Sequence, residues 1–185
     1  LALSPDVEKV DLVTRLIKDR KVSQEYSQSK EVIVPGAQII RIPFGPNRYL
    51  RKELLWPYLD QLADHLVEQI TQSNSFPDWI HAHYADAGYV GALVSSRLGL
   101  PFVFTGHSLG REKKQRLLAF GMDHDQIENT YSISRRIEAE EFALSKANLV
   151  ITSTNQEACT QYARYRNFVP KQAKIVPPGV DLSRF

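Results

Sequence analysis

Apolar positions along this chain switch between two periods. Leu55, Leu59, Leu62, Leu66 and Ile70 recur at helical spacing, so 52–70 is predicted helical, with Pro57 near enough to the start to be tolerated. Short apolar runs bounded by turn residues predict strands. They are Val10 to Ile17, Ala37 to Ile42 (closed by Pro43 and Gly45-Pro46), Trp79 to His83, Pro101 to Phe104, Leu149 to Thr152, and Lys174 to Val176 before Pro177-Pro178-Gly179. Glu25 to Gly36 is polar and reads as a connecting hairpin or loop. Gly88 to Leu98 predicts a helix of small residues, capped by Gly99. Asp125 to Ser145 predicts one long helix marked by Ile127, Ile133, Ile137 and Leu144. Ser153-Thr154-Asn155 caps a helix through Tyr162. Strands alternating with helices predict an α/β fold with a doubly wound, mostly parallel sheet.

Composition narrows this picture without redirecting it. The 185 residues carry a formal charge of +2 and are 24% charged. That is enough chain for a domain with a real core, and the near-neutral balance predicts no bulk affinity for nucleic acid or membrane. Cys159 is the single cysteine, so no internal disulfide and no cysteine-based zinc site is expected. A reducing, cytoplasmic setting fits. No apolar run approaches a membrane span, and Leu1 to Val10 lacks a signal-peptide pattern. The chain starts without Met and stops just after a loop, which suggests a fragment.

The chemistry concentrates at Thr105-Gly106-His107-Ser108-Leu109-Gly110-Arg111. This turn follows the strand predicted at 101–104 and precedes a charged helix start, Glu112-Lys113-Lys114-Gln115-Arg116. Open α/β sheets place ligands at the carboxyl ends of parallel strands, so His107 and Ser108 stand where chemistry is expected. Gly106 to Gly110 also fits G-x-S-x-G, the nucleophile elbow of α/β-hydrolases. That alternative is weakened by its missing partners, because His124 is the only later histidine and no separate strand carries an acid. His81 and His83 share one face of a strand. A metal site there lacks a third ligand at convincing spacing, and the preferred reading is a strand end whose histidines satisfy neighbouring loops. Arg135-Arg136-Ile137-Glu138-Ala139-Glu140-Glu141 reads equally as a solvated helix face with ion pairs or as a phosphate-binding arginine. No G-x-G-x-x-G follows a strand, which disfavours a dinucleotide site.

Several longer stretches together resemble the sucrose-phosphate synthase family. They are His81-Ala82-His83-Tyr84-Ala85-Asp86-Ala87-Gly88, the 105–111 turn, the 135–141 run and Ile151-Thr152-Ser153-Thr154-Asn155-Gln156-Glu157. Arg41-Ile42-Pro43-Phe44-Gly45-Pro46, Lys52-Glu53-Leu54-Leu55-Trp56-Pro57 and Pro177-Pro178-Gly179-Val180-Asp181 are similar too. The similarity covers nearly the whole chain in order.

The resemblance implies a retaining glycosyltransferase with two Rossmann-like lobes, the GT-B arrangement, moving glucose from UDP-glucose to fructose 6-phosphate. It implies that 1–185 is most of the amino-terminal, acceptor-binding lobe, without the family's first strand and glycine-rich loop and without the nucleotide lobe. The fragment alone is then expected to be inactive. UDP-glucose is implied as co-substrate, held by the other lobe, and no further cofactor or metal is implied here. Lys52, Tyr84, Ser108, Lys113 and Arg135 or Arg136 fall where the family contacts the acceptor and its phosphate, and His107 falls beside the donor glucose. Sucrose synthases use free fructose and lack the Ser-Leu-Gly-Arg continuation, so Gly110 and Lys113 point to a phosphorylated acceptor. A sucrose synthase-like enzyme and a non-catalytic sugar-phosphate-binding lobe remain as alternatives.

Overall fold

The computed structural model describes residues 4–73 and 75–179; Val180 and Asp181 of the final similar stretch therefore lie outside the described residues. The chain divides into two compact units, 1–69 and 70–185.

The first unit holds a three-stranded sheet in the order β1 (Val10–Arg15), β3 (Ala37–Ile42), β2 (Lys30–Val34). β1 runs parallel to β3 and β2 antiparallel to it. The polar stretch read as a hairpin or loop is thus half strand. Pro35 and Gly36 form its turn, with Gly36 at φ +80°, the left-handed conformation that this Pro-Gly order supplies cheaply. Arg15 is buried and donates to the carbonyls of Phe44, Pro46 and Arg48, which fixes the Gly45-Pro46 loop. The helix predicted from Lys52 begins as two 3-10 turns, Lys52–Leu54 and Trp56–Tyr58. Only then does α1 (Leu59–Gln72) follow, because Pro57 can donate no backbone bond.

The second unit is an α/β layer. Its four parallel strands, β4 (Ile80–His83), β5 (Phe102–Thr105), β6 (Leu149–Thr152) and β7 (Ala173–Ile175), lie in chain order. β5 is buried along its whole length, as its unbroken apolar run predicts. α2 (Ala85–Leu98) packs on β4, β5 and α5 (Ile133–Lys146). Phe102, Phe104, Leu144, Val150, Tyr162 and Tyr165 belong to one core cluster beneath these elements. The α/β class with a mostly parallel sheet is the one expected.

Two helix expectations are corrected. The single helix predicted over 125–145 is two, α4 (His124–Tyr131) and α5, broken at Ser132 with φ +46°. Ile127 and Ile133 explain the break. Six residues apart, they would point about 240° apart on one continuous helix at about 100° per residue. The left-handed Ser132 re-phases the chain so that both are buried. α4 also carries its own start signal, a capping box between Asp123 and Gln126. The last predicted helix is shorter than expected: α6 spans Asn155–Thr160 with Thr154 as its cap, followed by a 3-10 turn at Tyr162–Arg164.

The approach of α2 to the sheet depends on missing side chains. A Cβ on Gly88 would stand 2.5 Å from Cε2 of Phe104. Gly88→Ala gains about 1 kcal/mol of helix propensity but overpacks a core, which costs about 1–3 kcal/mol. A net loss of stability is expected, read as a lower denaturant midpoint at unchanged slope; a midpoint at or above that of the wild type would contradict this packing.

Candidate functional site

The site is built where β4 and β5 end. The two strands pair in parallel, with His83 opposite Thr105, so the residues that follow each come out on the same rim. Those residues are Tyr84 and His107, and both have positive φ, +77° and +56°. Side chains of this size rarely adopt such angles, and clusters of them mark functional sites. Tyr84 donates its N–H to the Thr105 carbonyl at 2.9 Å and its own carbonyl accepts from Gly88 at the start of α2. His107 is the centre of a γ-turn, closed by Ser108 N–H to Gly106 O at 2.7 Å; with positive φ at its centre this is the strained form of that turn.

A buried network holds the turn from below. Gly106 N–H donates to the Tyr162 hydroxyl at 2.7 Å, and a Cβ on Gly106 would stand 2.9 Å from that oxygen. Glu140, fully buried on α5, accepts from Gly110 N–H at the first turn of α3 (Gly110–Ala119), from Arg136 Nε at 3.0 Å and from the Tyr165 hydroxyl. Tyr165 in turn accepts from Arg111 N–H at 3.0 Å. A carboxylate at a helix N-terminus meets the orphan N–H groups and the positive end of the helix dipole. Burial pushes the Glu140 carboxyl up, and Tyr165, Arg136 and Gly110 pull it part of the way back. Burial, and after it Glu140, raises the Tyr165 phenol.

Arg136 connects this network to the rim. Its Nη2 donates to the Ser108 carbonyl and stands 3.4 Å from the Ser108 hydroxyl, and its guanidinium lies 4.5 Å from the centre of the Tyr84 ring. Arg136 is therefore not on a solvated face, while its neighbour Arg135 is exposed. Lys113 lies in the first turn of α3 with its ammonium 3.6 Å from the Tyr131 ring centre. Of the expected site residues, Tyr84, His107, Ser108 and Arg136 come together on this rim. Lys113 and Arg135 start the two adjoining helices. Lys52 belongs to the first unit, exposed at the start of its 3-10 turn.

The histidines form a row across the strand ends. His81 Nε2 lies 2.8 Å from Thr105 Oγ1, and His83 Nδ1 lies 2.8 Å from His107 Nε2. The His81 and His83 rings are 4.1 Å apart, and those of His83 and His107 5.1 Å. Burial, with the charges of His83 and His107, lowers His81 to about 4, and burial with His107 lowers His83. Among the described residues no group of three or more His, Cys, Asp or Glu could hold a metal ion, and no helix is long and apolar enough to cross a membrane. The hydrolase alternative gains nothing from this geometry. An elbow strains its nucleophile, but here the strained residue is His107, and the Ser108 hydroxyl faces an arginine rather than an imidazole.

The His83–His107 contact, Glu140, Tyr162 and Tyr165 escape a reading of residue order. The one available signal was the i,i+4 spacing of Arg136 and Glu140; the tyrosines reach back more than fifty residues to the turn.

Known proteins place the chain. The model of the sucrose synthase first GT-B domain matches residues 2–183. The chain is 40% identical to a probable sucrose-phosphate synthase 1 of Oryza sativa subsp. indica over 99% of its length, and 43% identical to a probable sucrose-phosphate synthase of Vicia faba over 92%. It spans 21% and 19% of those relatives, about a fifth of their length. The solved sucrose-phosphate synthase of Thermosynechococcus elongatus superposes with a TM-score of 0.72 at 25% identity, covering 95% of this chain and 39% of that one.

Two outcomes are expected from this geometry. Glu140→Ala leaves the Arg136 guanidinium and the Gly110 N–H without their buried acceptor, and breaking a buried pair costs about 3–5 kcal/mol. Chemical denaturation should register that loss, and a cost near zero would show that the carboxylate does not hold the turn. The second outcome concerns pH. His81 titrates near 4 when folded and near its ordinary 6.5 when unfolded, so the unfolded chain binds more protons between these values. The stability this gives is fully present above about 6.5 and is lost as pH falls towards 4. The denaturation midpoint should therefore drop between pH 7 and pH 5, and less steeply in His81→Asn; equal slopes would contradict it.

Proposed function

This chain belongs to the family of the sucrose synthase first GT-B domain, and from that premise we propose that it is the acceptor-binding lobe of a retaining glucosyltransferase of sucrose biosynthesis. The reaction moves glucose from UDP-glucose to fructose 6-phosphate, giving sucrose 6-phosphate and UDP, with the nucleotide held by a second lobe. The observation that carries this reading is the rim of the second unit. There two strained residues, Tyr84 and His107, end adjacent strands, and Arg136 links Tyr84 to Ser108.

The chemistry of these groups suits a sugar phosphate. A phosphate dianion is bound best by charge-assisted bonds from Lys and Arg. Lys113 and Arg135, at the starts of α3 and α5, supply the cations in this reading. Arg136 supplies a fixed positive charge from beneath, held in place by Glu140. Tyr84 offers a hydroxyl for the sugar and an apolar ring for its carbon skeleton. Ser108 is an acceptor-loop hydroxyl. His107, exposed at the strained turn, takes the place beside the transferring glucose.

In the complete two-lobed enzyme the acceptor's phosphate should be readable by mutation. A charge-assisted hydrogen bond contributes about 1.5–3 kcal/mol, so Lys113→Ala should raise the KM for fructose 6-phosphate about ten- to a hundredfold. The KM for UDP-glucose should barely move, and discrimination against fructose should shrink. Arg135→Ala should act in the same direction. Arg136→Ala is a poorer probe, because it also strands the Glu140 carboxylate. His107→Ala should lower turnover with either acceptor. Steady-state kinetics with both acceptors decides the matter; an unchanged preference for the phosphorylated sugar in both Lys113→Ala and Arg135→Ala would put the phosphate elsewhere.

A further inference from the structure

We propose that His83 is a positioning residue for His107, fixing the orientation and the tautomer of its ring through the contact between Nδ1 of His83 and Nε2 of His107. The inference rests on the reading above, in which His107 stands beside the transferring glucose. Three observations carry it.

The first is geometry. His107 occupies a γ-turn whose bonds fix its backbone, yet its side chain points outward and is exposed. A backbone constraint limits the rotamers open to an exposed ring but does not choose among them. The contact that does so is with His83, at 2.8 Å between ring nitrogens and with the ring planes only 21° apart. Parallel pairing of β4 with β5 makes this contact automatic, since His83 stands opposite Thr105 and His107 follows two residues later.

The second is proton arithmetic. A nitrogen-to-nitrogen hydrogen bond holds one proton, so one ring donates and the other accepts. The tautomer of either ring then dictates that of the other. A second proton on the facing nitrogens would break the contact. Burial and the nearby His107 hold His83 below the ordinary imidazole range, so at neutral pH His83 enters the pair as a neutral ring.

The third is the brace behind His83. The His81 ring packs 4.1 Å from it, tilted by 35°, and His81 is itself tied to Thr105 Oγ1, whose residue is buried at the end of β5. Thr105, His81, His83 and His107 therefore form one row, anchored in the sheet at one end and open at the other.

The test uses the complete enzyme, with His107→Ala as reference. His83→Leu should lower kcat about ten- to a hundredfold, the scale of disorienting a reacting group, with both substrate KM values within about twofold of wild type. His83→Asn, which keeps a hydrogen-bonding atom near the place of Nδ1, should recover most of kcat. Nitrogen NMR of histidine-labelled protein should show the His107 tautomer ratio changed in His83→Leu and near wild type in His83→Asn. If His107→Ala lowers turnover while His83→Leu does not, the inference is overturned and the functional reading stands. If His107→Ala leaves turnover intact, the functional reading fails first. Equal loss in the Leu and Asn variants, or a His107 tautomer ratio indifferent to His83→Leu, also overturns the inference.

Discussion

The second unit is organised by one buried carboxylate. Glu140 gathers Gly110 N–H, Arg136 Nε and the Tyr165 hydroxyl at a point with no access to water. An isolated ionised group there would be costly, so its presence requires that each donor be in place. That requirement runs outward. Gly110 sets where α3 begins, Arg136 ties down the Ser108 carbonyl and supports the Tyr84 ring, and Tyr165 holds Arg111. A polar cluster of this kind defines one arrangement more sharply than an apolar core of equal volume, because a half-satisfied version is worse than none. The turn bearing His107 is therefore a consequence of the core, although its side chains face solvent.

How much of this was legible beforehand differs by level. Element type follows from local pattern, and six of the seven strands among the described residues fall where apolar runs or a turn signal put them; the exception is β2, hidden in a polar stretch. Its side chains are mostly exposed, so it never shows the alternation that marks a strand. The break at Ser132 was visible only in the six-residue gap between Ile127 and Ile133, a phase error that propensity alone does not register. The rim was legible because it depends on strand order: residues just after parallel strands share an edge.

The chemistry of the site was legible only where it is local. His107 and Ser108 announce themselves by their place after β5. Arg136 presents two equal readings, a solvated ion pair or a phosphate ligand, and the structure corrects the first: the ion pair with Glu140 is there, but it is buried rather than solvated. Tyr162 and Tyr165 carry no signal, because their contacts with Gly106 and Arg111 close loops of more than fifty residues and depend on a 3-10 turn ending α6 early. Residue order makes His83 a strand-end residue satisfying a neighbouring loop. That description is literally correct, and it becomes chemically interesting because the loop's partner atom belongs to His107.

Strain gives the last link between fold and site. Residues with positive φ that are not glycine cost on the order of 1–3 kcal/mol each, and two of the three described here stand side by side on this rim. Against a total stability of roughly 5–15 kcal/mol for a domain, that is a substantial expense. It persists because each residue is bracketed. Tyr84 is held between Thr105 and Gly88, and His107 between Gly106 and Ser108, with Tyr162 holding Gly106 from below. Relaxing either residue would break backbone bonds whose loss costs as much as the strain itself. The strained backbone turns the His107 ring outwards at the strand end, and the row of imidazoles then determines how that ring is presented. Fold, strain and chemistry thus meet at a single backbone turn whose geometry is decided mostly by groups that never reach the surface.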